Sequence, residues 1–310
     1  MKADAVFEGG GVRGIAFIGA IQELERQGYR WERVAGTSAG SVVASLLACG
    51  YNAEELIRIM NSLDYARLLG KTWLHHLPLI GKAIPLLLHS GIYLNTPLEE
   101  RMTFWMKQKG VTTFGDLPKG KLKIIASDIS SGKMLILPDD LPRYHISPDK
   151  FPIAAAVRMS TTIPYFFQPY RWKTKVRRKP FYILDGGLLS NYPIWIFDVE
   201  GRPRWPTFGF RLLGEQPITP FYDINGPFSM FRAMFQTMLR AHDQRHVDKH
   251  ARRRTIFIPT GSVTTTQFDL TADDRDFLFQ SGQETAKRFL DAWDYEKYVD
   301  EFRLVQGDWR

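Results

Sequence analysis

Gly36-Thr37-Ser38-Ala39-Gly40 follows an apolar strand-like run, Val34-Ala35, and leads into an apolar helix-like run, Val42 to Cys49. A serine placed there must sit on a tight strand-to-helix turn if its Oγ is to be exposed. Glycines two residues before and after it remove side chains that would clash with the flanking strand and helix. The pentapeptide alone is a weak signal, but two other glycine-marked stretches accompany it. Gly9-Gly10-Gly11-Val12-Arg13-Gly14 lies between the strand-like run Ala5-Val6-Phe7 and a helix expected over Ile15 to Gln27. Asp185-Gly186-Gly187 follows the strand-like run Phe181-Tyr182-Ile183-Leu184. In this order the three stretches read as oxyanion loop, nucleophile elbow and base.

The trio resembles the patatin-like phospholipase family, whose pattern is a G-G-G-x-[KR]-G loop, a G-x-S-x-G elbow and a D-G-[AG] aspartate. Two further stretches are similar to family segments: Ala126 to Lys133 to a strand and turn, and Val157 to Pro164 to an R-x-S-x-[AS]-x-P segment. The resemblance covers roughly residues 4–200. The spacing from Gly40 through residues 53–62 is similar to the bacterial branch that includes injected effector lipases. The resemblance implies a three-layer α/β/α fold around a central, mostly parallel sheet. It also implies a dyad in which Asp185 contacts Ser38 directly, with no histidine between them. Phospholipid or other lipid ester substrates, no cofactor, no calcium or other metal and, in the effector-like branch, a protein activator are implied as well.

Residue chemistry agrees with those roles. A serine hydroxyl is a poor nucleophile at neutral pH and needs a base. None of the seven histidines stands in a context that marks a triad member. Asp185 is the only aspartate followed by Gly-Gly at the end of an apolar strand, with Gly186 and Gly187 letting the backbone turn. Acyl transfer also needs donors for the developing oxyanion, and backbone N–H groups of a glycine-rich loop supply them without rearrangement. Within the Gly9 to Gly14 loop, the amides of Gly10, Gly11, Val12 and Arg13 are the candidates.

The chain has 310 residues, 44% of them hydrophobic, enough for a large core, and it is expected to form one domain with residues 201–310 packed on the motif-bearing part. One cysteine, Cys49, excludes an internal disulfide. Glu8 and the glycine loop interrupt the first apolar residues, so no secretory signal is expected. The stretch Ala83 to Leu98 holds two prolines and an asparagine and is too short to span a bilayer. The expectation is a soluble cytoplasmic protein with peripheral membrane contact. Export without a cleavable N-terminal signal stays open.

The net charge of +8 favours anionic partners. Arg171, Lys173, Lys175, Arg177, Arg178 and Lys179 crowd nine residues, and Asp and Glu are absent from 151 to 184. This basic tip reads equally as a solvated hairpin or as a contact with an anionic membrane. No nucleic-acid motif accompanies it, so nucleic acid ranks below lipid.

Along the rest of the chain, Asn52 with Glu55 has capping-box spacing for a helix from Ala53 to about Leu63. Residues 64–92 lack clean periodicity and read as irregular covering structure or a lid. Pro97 suits the first turn of another helix. Strands are expected over Lys121 to Ser127, Met134 to Leu137, Phe166 to Trp172, Pro180 to Leu184, Thr207 to Leu213 and Thr255 to Pro259. Long helices are expected over Phe228 to Arg254 and Asp274 to Trp293.

Three rival readings compete with this one. Gly9, Gly11 and Gly14 also fit a dinucleotide fingerprint, but that fold needs an acid ending the second strand, where Gly36-Thr37-Ser38 stands; the nearest acid, Glu32, is expected before the strand. His242, His246 and His250 recur every four residues, a metal-like spacing among many basic side chains. A catalytically idle interaction module on the same fold is disfavoured by an intact Ser38 and Asp185.

Overall fold

The structure is a computed structural model, described over residues 1–63, 70, 90–214, 223–226, 229–230, 233–234, 237 and 249–300. The expected lid segment and the histidine row lie almost wholly outside the described residues, as does most of the helix expected over 228–254.

Its centre is an eight-stranded sheet. Strands β1 (Lys2–Phe7), β2 (Arg30–Thr37), β4 (Leu122–Asp128), β9 (Thr207–Leu213) and β10 (Thr255–Pro259) run parallel, in the order β10-β9-β1-β2-β4. β5 (Lys133–Leu137) and β8 (Phe181–Asp185) pair antiparallel with β4, and β7 (Tyr170–Trp172) pairs antiparallel with β8. Glu32 lies inside β2, not before it, but still near the strand's start and far from Ser38.

Side chains alternate along the strands as a pleated sheet buried on both faces requires. Ala3, Ala5 and Phe7 of β1, with Val34, Ile124, Phe208 and Phe210, join one core; Val6, Ala35 and Ile125 join the other. Over the first face pack α1 (Ile15–Arg26), α2 (Ala39–Ala48), α3 (Ala53–Ser62), α4 (Thr96–Gln108), α5 (Ile153–Ser160) and α7 (Ala272–Asp291). The opposite face is covered by Tyr192 to Phe197 and by Ala251 of α6 (Lys249–Arg253). The result is the expected three-layer α/β/α arrangement. Phe7 and Phe210 stack at 4.6 Å between ring centres, and each such buried ring contributes about 1.5–3 kcal/mol.

Local signals hold where they rest on hydrogen bonding. Asn52 Oδ1 accepts from Glu55 N–H at 2.9 Å and Glu55 returns the bond to Asn52 N–H at 3.1 Å, the reciprocal cap that starts α3. The single strand expected over Phe166 to Trp172 is instead two. β6 (Tyr165–Phe167) pairs with β3 (Gly91–Tyr93) in a separate small ladder, and β7 joins the main sheet. Pro169 between them has no N–H to continue a ladder.

Register brings two distant strand ends together. β5 occupies one edge of β4 from Ile124 to Asp128, so β2 and β8 share the other. On that edge Thr37 pairs with Ile125 and Asp185 with the next residue, Ala126. Because β2 runs parallel and β8 antiparallel to β4, their carboxyl ends meet head to head. Ser38 follows Thr37, so it faces Asp185.

Candidate active site

Ser38 sits between β2 and α2 with φ of 51°, a backbone region costly for a residue with a Cβ. Both of its peptide groups are held there. Its N–H donates to Ser160 Oγ at 2.9 Å, and its carbonyl accepts from Ser41 Oγ at 2.6 Å. Ser160 Oγ in turn donates to the Ile125 carbonyl at 2.6 Å, tying the elbow to β4. The elbow glycines are required by close approach. A Cβ on Gly36 would lie 2.6 Å from Ser41 N, and one on Gly40 would lie 2.6 Å from the Glu8 carbonyl. Thr37 Oγ1 donates to the Ser190 carbonyl at 3.1 Å, fastening the strand end to the segment after Asp185.

Ser38 Oγ donates to Asp185 Oδ2 at 2.6 Å. The other carboxylate oxygen accepts from Gly187 N–H at 2.8 Å, which orients Asp185 and explains the glycine turn after it. Asp185 N–H donates to the Thr162 carbonyl at 2.8 Å. The carboxylate is 2% exposed, and burial pushes its pKa from 3.8 to about 7. The bonds from Ser38 and Gly187 oppose that rise only in part. No histidine among the described residues contacts Ser38 or Asp185. α2 begins at Ala39, so the positive end of its dipole lies at Ser38.

The glycine loop closes on the same place, since a Cβ on Gly9 would lie 3.1 Å from Ser38 Cβ. Its amides are not all available, which narrows the sequence expectation. Gly9 N–H donates to the Asn191 carbonyl at 3.1 Å, and Val12 N–H donates to the Thr265 carbonyl at 3.2 Å. Gly10 and Gly11 amides have no acceptor among the described residues. Arg13 turns back on its own loop, with Nε donating to the Gly10 carbonyl at 3.3 Å. A Cβ on Gly14 would lie 3.4 Å from Ala39 Cβ, so a side chain larger than alanine would press on the elbow.

Sequence reading missed Asn191, Ser160 and Thr265. Asn191 Nδ2 donates to Glu8 Oε1 at 3.2 Å and to the Gly9 carbonyl at 3.4 Å, so it grips the loop from behind. Ser160 stood in a family-like segment but carried no assigned role. Thr265 lies in a loop after β10, and nothing in its local sequence marks it.

A cavity of about 150 Å³ opens from Ser38. Its walls are almost all apolar: Ile18 of α1, Val42 and Leu46 of α2, Ile59 and Met60 of α3 and Trp105 of α4 are among them. The six basic side chains sit elsewhere, on and beside the exposed loop joining β7 to β8, and among the described residues none is in an ion pair. Arg177 lies over the Phe181 ring at 5.1 Å and Arg171 over Tyr182 at 5.9 Å. Phe181 starts the strand that ends at Asp185, so the loop stands about 13 Å from the carboxylate at roughly 3.3 Å per residue. No described helix is long and apolar enough to cross a membrane.

The family described as "Patatin-like phospholipase" matches residues 5–198. The uncharacterized protein YqhO of Bacillus subtilis (strain 168) is 41% identical over 296 residues, covering 95% of this chain and all of YqhO. The cGAMP-activated phospholipase of Escherichia coli (strain TW11681) is 30% identical over 201 residues, 61% of this chain and 52% of that protein. VipD from Legionella pneumophila shares the fold with a TM-score of 0.57 at 20% identity, over 94% of this chain and 67% of VipD. The chain belongs to the patatin-like phospholipase family.

Proposed function

We propose that the protein is a serine hydrolase of lipid carboxylic esters, of phospholipase A or lysophospholipase type, working through a Ser38–Asp185 dyad. The observation that carries this is the 2.6 Å bond from Ser38 Oγ to a buried carboxylate oriented by Gly187. Asp185 accepts the Ser38 proton as Oγ attacks the ester carbonyl. The Gly10 and Gly11 amides receive the oxyanion, and the apolar cavity takes the acyl chain. The protonated Asp185 then gives its proton to the leaving alcohol. Water, deprotonated by the same carboxylate, releases the fatty acid from acyl-Ser38. Nucleophile, base and oxyanion donors are all protein groups, so the reaction requires no metal or cofactor.

The basic loop supports a second part of the reading, peripheral docking on an anionic bilayer. Val176 at its tip is 43% exposed, and Ile129 beside the strand is 50% exposed, so apolar and cationic groups share one surface. Such a mixture suits an interface of acyl chains and anionic head groups.

The test is covalent labelling of Ser38 by a fluorophosphonate, with hydrolysis of a lipid ester followed in parallel. Ser38→Ala is expected to abolish both. Asp185→Asn is expected to lower turnover on the order of a thousandfold or more while the fold persists. Excess chelator is expected to leave wild-type turnover unchanged. Near-normal turnover by Asp185→Asn would show that another group is the base.

A further inference from the structure

The two amides assigned to the oxyanion, those of Gly10 and Gly11, lie between two fixed points. On one side Gly9 N–H donates to the Asn191 carbonyl at 3.1 Å, and on the other Val12 N–H donates to the Thr265 carbonyl at 3.2 Å. Gly11 has φ of 57°, and a Cβ there would run into the Thr265 carbonyl and stand 2.8 Å from Thr265 Cγ2. Thr265 thus lies directly against the residue that carries one of the donors. Of the three threonines at 264–266, the outer two are exposed and Thr265 is half-buried against the glycine loop.

Thr265 comes from the loop between β10 and α7, outside the residues 5–198 that the family matches. That loop is braced along its length. Thr260 N–H donates to the Leu213 carbonyl at 2.7 Å, at the end of β9. Gln267 Oε1 accepts from Thr264 N–H at 3.4 Å, and its Nε2 donates to Asp274 Oδ2 at 3.4 Å, in the capping box that starts α7. Phe268 stacks on Phe166 with ring centres 5.5 Å apart and planes 7° apart, and it lines the cavity with Ser38, Gly11 and Val12. α7 in turn meets α1, the helix that follows the glycine loop, backbone against backbone at Gly282 and Gly19. A carbonyl carried on such a frame is fixed well enough to orient another group.

We infer that Thr265 is a positioning residue for the reaction: its carbonyl fixes the Val12 peptide and so aims the Gly10 and Gly11 amides, which makes the loop after β10 a working part of the active site. This rests on the Ser38–Asp185 reading and deepens it. Consecutive glycines have the widest choice of backbone angles, so anchored at Gly9 alone they would present their N–H groups in many directions. Oxyanion donors are effective because they are aimed before the charge develops, and a second anchor at Val12 supplies that.

The experiment measures kcat and KM on p-nitrophenyl butyrate, per Ser38 titrated to completion with a fluorophosphonate, together with the rate of that labelling. Combined Thr264→Gly, Thr265→Gly and Thr266→Gly keeps the loop length and Phe268 but frees the Thr265 carbonyl. It is expected to lower kcat about tenfold or more with KM within about threefold of wild type, and to slow labelling in parallel, because the phosphoryl oxygen uses the same donors. Thr265→Val, which keeps the shape and the carbonyl, is expected to behave as wild type. Should the glycine variant not fold, replacing Thr266 by its α-hydroxy acid turns the Thr265 carbonyl into an ester carbonyl, a weaker acceptor, with every side chain kept. The expected fall in kcat is then about threefold or more. A merely structural loop would reduce the number of titratable sites and leave kcat per site and the labelling rate unchanged, which overturns the inference while the dyad reading stands. An unchanged kcat in the ester-linked protein overturns it as well. Absence of both Ser38 labelling and Ser38-dependent turnover in wild type overturns the dyad reading and the inference with it.

Discussion

At the residue scale the site is governed by one desolvated carboxylate. Asp185 is held at about 7 because burial outweighs the two hydrogen bonds it accepts. Two pH effects follow. As the proposed base it must be ionised, so kcat/KM on a soluble ester is expected to rise with pH and level off above an apparent pKa near 7. Stability moves the other way. The folded-state pKa lies above the unfolded value of 3.8, so the folded protein binds the extra proton. The contribution from Asp185 is fully present below the unfolded pKa and is lost as pH rises through the folded pKa, by a few kcal/mol at most. Asp185→Asn, which keeps an acceptor for Gly187 N–H, is therefore expected to melt higher than wild type at pH 8, with the advantage shrinking toward pH 4. Melting curves at the two pH values check this; an Asn variant less stable at pH 8 than at pH 4, relative to wild type, would contradict the assigned cause.

At the scale of elements, the loop between β7 and β8 is separable from the chemistry. It carries five cations, with Arg171 beside it on β7, none in an ion pair among the described residues, and the nearest sequence acid is the buried Asp185. Each cation near an anionic surface contributes about 1 kcal/mol, screened within a Debye length. Replacing Lys175, Arg177 and Arg178 by glutamate is expected to weaken binding to phosphatidylserine-containing vesicles by on the order of a hundredfold or more, most at low ionic strength. Hydrolysis of a small soluble ester is expected to stay near wild type, because Ser38, Asp185 and the glycine loop are untouched. Equal vesicle sedimentation at low salt would return the loop to a solvated hairpin. The cluster is legible in sequence because charge density needs no tertiary information. Its position relative to Ser38 is not, since that depends on which edge of β4 receives β8.

For the whole molecule, the residues after 200 are part of the same sheet and helical layer. β9 pairs with β1, β10 extends the sheet, and α7 packs along α1. The helices touch at glycine: a Cβ on Gly282 would run into the Ala16 carbonyl and stand 3.1 Å from Ala20 N. Both obstacles are helix backbone and cannot step aside. Gly282→Leu gains about 1 kcal/mol of helix propensity but overpacks a rigid contact at a cost of roughly 1–3 kcal/mol or more. A net loss of up to about 2 kcal/mol is expected, measured by denaturant unfolding with unchanged slope. The full chain is expected to unfold in one transition, and a fragment ending near residue 200 to remain unfolded, because it would leave one edge of β1 unpaired and α1 without α7. Two separated transitions would instead mark an independent C-terminal unit.

Short-range order determined what sequence alone could determine. The strand-turn-helix at Ser38, the capping box at Asn52, the glycine loop and the Asp185 turn are each specified by residues within a few positions, through backbone geometry that only certain side chains permit. Ser38 and Asp185 were identifiable because their local turns are so restricted. Tertiary structure decided the rest. Sheet register set Thr37 and Asp185 on consecutive residues of β4, which no periodicity encodes. Long-range partners decided which loop amides stay available: Asn191 and Thr265 take two of them from positions with no local signature. The pKa of Asp185 arises from burial, a property of everything packed around a group and of nothing beside it in the chain.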